Sequence, residues 1–508
     1  MTDPDLPASH QHAKVSTRTA IGSAWLIVSR FATKAIDFAA LLVLARLLTP
    51  GDFGLVSVAM TFVLIVEAIF ELPVAQILVR SQHLDKEHFD TAFTLSALRG
   101  FILMLVLAAL SIPAAHFYND QRVVPLMLML SLAPATRGLL SPKMANNARR
   151  IFYRYDFYIE VAGKLAGFAA ATTCAFATHS YWSIALGTVT TPIVMLLTSY
   201  VLAPYMPVLS LRKWRDFAGF LGWSSAAQVF SAINWQCDRL ILARYTSKPT
   251  FGAFTMANDL SYLPEQAIIK PIQRPLLSAF ALIRADKERL KAAYLRTVVA
   301  LLLCGIPVMV CLSVLAKPIV LFALSAKWQP AIPILQIVSL TLIPPLFTSP
   351  LPPLAIALGR NDIFLRLNLI EFSFKIPAVA IGAIFFGLQG VLMARIASAL
   401  VLAVVSMAYT RYLVGASYRE QLSQIWHVVG AGLILGIYLY WCGPLLAGLS
   451  GLPLAVGLAA IGSTGLITFL AVVLFLWWVK GRPAGVEATA VHHGFNLLGR
   501  ISKRYGAL

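Results

Sequence analysis

The stretch Leu44 to Ala59, LARLLTPGDFGLVSVA, returns 198 positions later as Leu242 to Ala257, LARYTSKPTFGAFTMA. Leu-Ala-Arg, Phe-Gly and the closing alanine are identical in the two copies. Outward in the same register, Trp25 meets Trp223, Leu42 meets Leu240, Glu67 meets Glu265, Pro73 meets Pro271 and Leu78 meets Leu276. Apolar matches are cheap in an apolar chain. Trp and Glu are rare there, so their coincidence in one register, with a proline, carries the weight. At an offset of 208, Pro125, Ser131, Leu132, Ser141 and Pro142 meet Pro333, Ser339, Leu340, Ser349 and Pro350. The chain therefore contains two copies of one folding unit.

The composition says what kind of unit it is. Of 508 residues, 59% are apolar and 12% charged, with a mean hydropathy of +0.77. Soluble domains carry roughly 25% charged residues. So few charges cannot coat the surface of a soluble chain this long, and so much apolar surface excludes disorder. Apolar runs of membrane-spanning length recur along the sequence, each enough to cross about 30 Å of hydrocarbon at about 1.5 Å per residue. Fourteen are expected, near 20–45, 54–79, 91–115, 123–145, 158–178, 182–204, 217–243, 252–280, 292–316, 330–356, 363–386, 389–413, 425–447 and 453–479. Strand-length alternation is absent, so the spans read as helices. The first nineteen residues lack the apolar core and cleavage site of a signal peptide, so the first span reads as retained.

The net charge of +19 fits topology before it fits a nucleic-acid partner. With a cytoplasmic N-terminus, alternate inner segments hold 24 of the 41 Lys and Arg residues and the outer segments six. The bias places both termini in the cytoplasm. Six helices per copy is an even number, so the two copies share one orientation. The expected architecture is all-α: a cytoplasmic tail at 1–19, six-helix bundles at 20–206 and 217–413, two extra helices within 425–479, and a cytoplasmic tail at 480–508. Parallel repeats of this kind build alternating-access transporters, with the substrate path between the halves.

The two repeat segments resemble the first outer loop, and its echo, in bacterial polysaccharide-export flippases. ANNARRIFYRYDF at 145–157 is similar to the basic connection between that family's fourth and fifth helices. KWQPAIPILQI at 327–337 and ALGRND at 357–362 resemble the flanks of its tenth helix. The resemblance covers roughly residues 15–415. It points to the polysaccharide transporters of the multidrug, oligosaccharidyl-lipid and polysaccharide exporter superfamily. It implies movement of an undecaprenyl-diphosphate-linked oligosaccharide from the cytoplasmic to the periplasmic leaflet of the inner membrane, for lipopolysaccharide, capsule or exopolysaccharide assembly. It implies a monomer working among membrane lipids, beside a polysaccharide polymerase and export machinery. No cofactor is expected. A proton or sodium gradient is the family's drive in some members, and no Gly-x-x-x-x-Gly-Lys loop for ATP is present.

Eleven basic residues fall in or beside the spans, where a central charge costs at least about 2.5–3.5 kcal/mol. They are tolerable only facing protein, water or a partner, and a diphosphate is such a partner. Arg30, Lys34 and Asp37 share one face of the first helix at i, i+4 and i+7. The two cations suit a substrate cavity; the alternative is a local Lys34–Asp37 ion pair. Lys270 and Arg274, i and i+4 between Pro271 and Pro275, suit a diphosphate entry site or an anchor to anionic headgroups. Arg239 follows Asp238, and either lines the cavity or pairs with a neighbouring helix. Lys375 follows Glu371 by one turn, which favours a mutually neutralised pair, whereas Arg395 has no sequence neighbour to neutralise it. Among acidic residues at depth, Asp37, Glu67, Asp259 and Glu265 are candidates for ion coupling. For the repeat-related pair Glu67 and Glu265 a scaffold role is favoured, as a salt bridge or cap that fixes the second or eighth helix. Tyr118, Trp182, Trp214, Trp328 and Trp426 read as interfacial aromatics, with sugar stacking open for Trp328.

Other classes compete. A drug exporter of the same superfamily shares the architecture but should prefer an acidic cavity; a lipid II flippase is closer still. An enzyme is disfavoured by short outer loops and the lack of a nucleophile–base set. No histidine or cysteine spacing suggests a metal, and the five cysteines read as small packed hydrophobes.

Overall fold

The computed structural model describes residues 8–72, 74, 77–78, 84–149, 152–218, 223–266 and 270–481. Among them every regular element is helical. The chain forms two compact units, Met1–Gly252 and Ala253–Leu508.

The first unit opens with α1 (Ala8–Leu47) and α2 (Pro50–Ile69). Thr49 separates them by capping α2. Its hydroxyl accepts from the Asp52 backbone N–H at 3.3 Å, while the Asp52 carboxylate accepts from the Thr49 N–H at 3.0 Å. This reciprocal box, with Pro50 in the first turn, fixes the helix start. Next come α3 (Lys86–Tyr118), α4 (Val123–Gly138), α5 (Arg154–Thr178) and α6 (Trp182–Leu202). α5 packs on α6 and α1, and α3 packs on α4. The seam between α5 and α6 is close because Gly167 and Gly187 bring the two backbones together.

α7 (Trp223–Tyr245) packs on α2, and α8 (Lys248–Pro264) begins beside it. The second copy of the repeat makes the same break as the first. Ser247 caps α8, its hydroxyl 3.4 Å from the Thr250 N–H, as Thr49 caps α2. The repeat-related glycines Gly54 and Gly252 then meet. A Cβ on Gly252 would collide with the Pro50 carbonyl, and one on Gly54 with the Lys248 carbonyl.

The second unit continues with α9 (Lys270–Leu282) and α10 (Lys287–Val314). Within the expected span 252–280, α8 is described to Pro264 and α9 from Lys270, and residues 267–269 lie outside the described residues. The expected span 330–356 is three short helices, α11 (Ala331–Thr341), α12 (Ile343–Thr348) and α13 (Leu351–Ala357), broken at Pro344, Pro345 and Pro350. α14 (Asn361–Val414) turns at Gly387, where φ is +57° and ψ −134°, so its two arms correspond to the expected spans 363–386 and 389–413. The arms meet backbone to backbone, a Cβ on Gly382 falling 2.6 Å from the Gly390 carbonyl carbon. α15 (Tyr418–Cys442) and α16 (Gly451–Val479) close the unit. Its core is built on Tyr294, Leu346, Leu351, Leu435 and Phe469, all fully buried.

Among the described residues nine helices are long and apolar enough to cross a bilayer, with α14 counted once and α11 to α13 counted together. The expected fourteen spans do not emerge as fourteen such helices. α4 has 16 residues and α8 has 17, while α1 and α7 carry Arg30, Lys34 and Asp37, or Asp238, Arg239 and Arg244. Large apolar side chains lie bare along the outside, Phe385, Phe386, Leu433 and Leu452 among them, as lipid contact requires. Two expected interfacial aromatics are instead internal. Trp328 is fully buried in the second unit, so it is neither a belt residue nor a sugar platform. Tyr118 is buried because its hydroxyl donates to the Leu240 carbonyl at 2.8 Å.

Candidate functional site

The first helix holds two exposed cations within an expected span, Arg30 and Lys34. Arg30 is exposed, and no described residue pairs with its guanidinium. One turn on, Lys34 lies 3.8 Å from the Asp37 carboxylate, with more than half of its side chain exposed. The other Asp37 oxygen accepts from Lys164 of α5 at 2.6 Å. Asp37 thus bridges two ammonium groups on neighbouring helices, and the patch of Arg30, Lys34, Lys164 and Asp37 keeps an excess of positive charge.

The α1–α5 seam explains why Lys164 reaches this patch. Trp25 packs on Phe157 with ring centroids 5.2 Å apart. The buried Ser29 hydroxyl donates to Glu160 at 2.7 Å. Glu160 and Lys164 are i and i+4 and are the natural partners on an isolated helix. Here each reaches to α1 instead, Glu160 to Ser29 and Lys164 to Asp37.

The other expected residues are distributed differently. Glu67 binds Arg137 of α4 at 2.7 Å, an ion pair across two helices. Arg99 donates to the Glu67 and Phe70 carbonyls, closing the end of α2. Arg137 lines a cavity of about 250 Å³ inside the first unit, together with Ser96, Asp156 and Glu160. One Asp156 carboxylate oxygen is buried there with no hydrogen-bond partner. Arg239 is half-buried beside the buried Asp238. In the second unit Lys375 is buried, 4.0 Å from Glu371. Arg395 is also buried. It donates to the Asn258 side-chain oxygen at 2.7 Å and lies over the Phe254 ring at 5.8 Å, so α8 supplies the neighbours that its own helix lacks. Asp259 and Glu265 are half-buried on either side of Pro264. Lys270 and Arg274 stand on α9, and their side chains lie outside the described residues. The structure therefore brings together Arg30, Lys34, Asp37 and Lys164, the last counted among the eleven basic residues of the spans but not singled out there. The separation of 127 positions hid the last contact. Its only sequence signal is a lysine inside an apolar span.

At the end of α3 lies a second charged cluster. Asp120 accepts from Arg122 through Nε at 3.0 Å and Nη2 at 2.9 Å, with Lys248 3.9 Å away. The Arg122 hydrogen bonds hold the Asp120 carboxyl below its usual range, against the opposing effect of burial. Among the described residues no group of His, Cys, Asp or Glu could hold a metal ion.

An all-helical chain with lipid-facing walls and charged residues retained inside its apolar helices is a multi-pass membrane protein of transporter type. Residues 43–333, more than half of the chain, match the family described as polysaccharide biosynthesis protein, and the chain belongs to that family. It is 23% identical over 418 residues to the lipopolysaccharide biosynthesis protein WzxC of Escherichia coli, covering 80% of this chain and 84% of that one. It is 25% identical over 377 residues to the succinoglycan biosynthesis transport protein ExoT of Rhizobium meliloti, covering 73% and 75%. Its fold is similar to that of the lipid II flippase MurJ in an inward closed conformation. The TM-score is 0.68 at 15% identity, over 89% of this chain and 98% of that one. An inward-facing multidrug resistance MATE transporter superposes with a TM-score of 0.55 at 16% identity, over 76% and 95%.

Proposed function

We propose that the protein flips an undecaprenyl-diphosphate-linked oligosaccharide from the cytoplasmic to the periplasmic leaflet of the bacterial inner membrane, by alternating access of two six-helix bundles. The observation that carries this is the cationic patch on α1 and α5. Arg30 stands exposed beside Lys34 and Lys164 in helices that otherwise face lipid or protein. Excess positive charge is costly at membrane depth, and a multivalent anion offsets that cost. The guanidinium of Arg30 offers paired donors to two phosphate oxygens, and the lysines supply compact point charges. A cationic drug would be repelled from the same patch, which disfavours drug export. Membership of a polysaccharide biosynthesis family supports the glycan-linked lipid over lipid II.

In this scheme Arg239, Lys375 and Arg395 are further contacts along the path, and Lys270 and Arg274 serve entry. Asp37, Glu67, Asp259 and Glu265 are the carboxylates through which a proton or sodium gradient would act. The test is deletion of the gene, with analysis of lipid-linked oligosaccharides in spheroplasts. Cytoplasmic-face accumulation, rescued by wild type but not by Arg30→Ala, is the expected result. Unchanged glycan export in the deletion strain overturns the proposal. Accumulation of lipid II would redirect it to peptidoglycan precursors.

A further inference from the structure

Asp37 is a negative charge placed inside an anion-binding patch. A site built only to attract phosphate has no use for it, and a carboxylate placed only to neutralise Lys34 would need just the i, i+3 contact. Asp37 instead spans two helices, with Lys164 at 2.6 Å and Lys34 at 3.8 Å. All three side chains remain more than a third exposed. Ion pairs that open to solvent are weak and readily exchanged. The geometry points to a built-in competitor: we infer that Asp37 occupies the ammonium groups of Lys34 and Lys164 when the site is empty, and yields them to the substrate's diphosphate when it is filled.

This rests on the flippase proposal and adds two things to it. Lys164 becomes a diphosphate contact, and Asp37 becomes a positioning residue that sets how tightly the diphosphate is held. The exchange follows the greater charge. Without substrate, the carboxylate relieves repulsion between the two ammonium groups. With substrate, a diphosphate brings more negative charge and more acceptor oxygens than one carboxylate, and Arg30 adds paired donors that Asp37 does not engage. On release the carboxylate returns to the lysines and offsets the cost of stripping phosphate from them. Transport needs this compromise, since a substrate must bind well enough to enter and weakly enough to leave.

The test uses the full-length protein in nanodiscs of phosphatidylethanolamine and phosphatidylglycerol. Undecaprenyl diphosphate is the probe and undecaprenol the uncharged control. Exchange predicts changes of opposite sign. Asp37→Asn should bind undecaprenyl diphosphate about three- to fivefold more tightly, and Lys164→Gln more weakly by about the same factor, as suits one half-exposed ion pair. Asp37→Glu should bind like wild type, and undecaprenol binding should not move. In cells Asp37→Asn should slow glycan export despite its tighter binding, because release becomes limiting. A purely structural pair predicts the same sign for both single variants, with loss of thermal stability that the double variant Asp37→Asn/Lys164→Gln restores. Same-sign changes, or none, in a wild type that binds the probe and loses affinity on Arg30→Ala overturn the exchange alone. A wild type that does not bind undecaprenyl diphosphate overturns the flippase proposal and the exchange with it.

Discussion

Asp120 shows how much one side chain can report on a membrane protein's water-facing end. Its carboxyl is held low chiefly by the Arg122 hydrogen bonds. A carboxyl whose folded pKa is depressed contributes stability that is fully present above its unfolded pKa, near 3.8. That contribution is lost as pH falls through the lower folded value. Wild type should therefore unfold at a higher temperature than Asp120→Asn near neutral pH, and the gap should close below about pH 4. Thermal unfolding in detergent across that range checks it, and a gap that persists in acid would assign the effect to packing. At this scale the sequence was legible where partners are local. Lys34 with Asp37 and Glu371 with Lys375 are visible as i, i+3 and i, i+4 spacings, and both pairs are found at long separations of 3.8 and 4.0 Å. The shorter contacts join distant segments: Lys164 with Asp37, Arg137 with Glu67 and Arg395 with Asn258. Helical periodicity says which face a residue occupies, and only tertiary packing says which helix meets that face.

At the scale of elements, the repeated motif explains itself. Thr49 and Ser247 are hydroxyl caps, Pro50 and Pro249 occupy first turns, and Gly54 and Gly252 allow close approach. The repeat was readable as identity. The caps extend α2 and α8 several residues before the apolar runs that mark them, because a polar cap leaves no trace in hydropathy. Gly252→Ala should be severely destabilising, by about 1–3 kcal/mol or more, because its methyl group meets a backbone carbonyl that cannot rotate away. Gly51→Ala, whose nearest neighbour would be 3.7 Å away, should be tolerated. Fluorescence-detected size exclusion after a heat step separates the two, and equal survival would mean that α2 and α8 slide apart at little cost. Prolines mark the places where apolar runs overstate helix length. The run 330–356 gives three helices because Pro344, Pro345 and Pro350 punctuate it, and hydropathy alone does not register a missing N–H.

For the whole molecule, the distribution of Lys and Arg predicts orientation. Reporter fusions at positions 84, 150 and 286 are expected to read cytoplasmic, and a periplasmic signal at any one would break the span assignment downstream of it. The all-helical class followed from composition, because a chain with 12% charged residues has few other ways to satisfy its backbone in lipid. The number of spanning helices was less legible, since α1 and α7 carry the charges that hydropathy counts against them. The charges on α1 belong to the candidate site, so a helix that carries such charges is also one that hydropathy fails to mark as a span.

The turn at Gly387 bears on how the chain is made. Its two arms are joined by a single residue outside helical geometry and touch through glycine backbone. No stretch between them is long enough to be threaded across the bilayer separately. The pair is therefore expected to enter the membrane as one hairpin, with Lys375 on its first arm and Arg395 on its second.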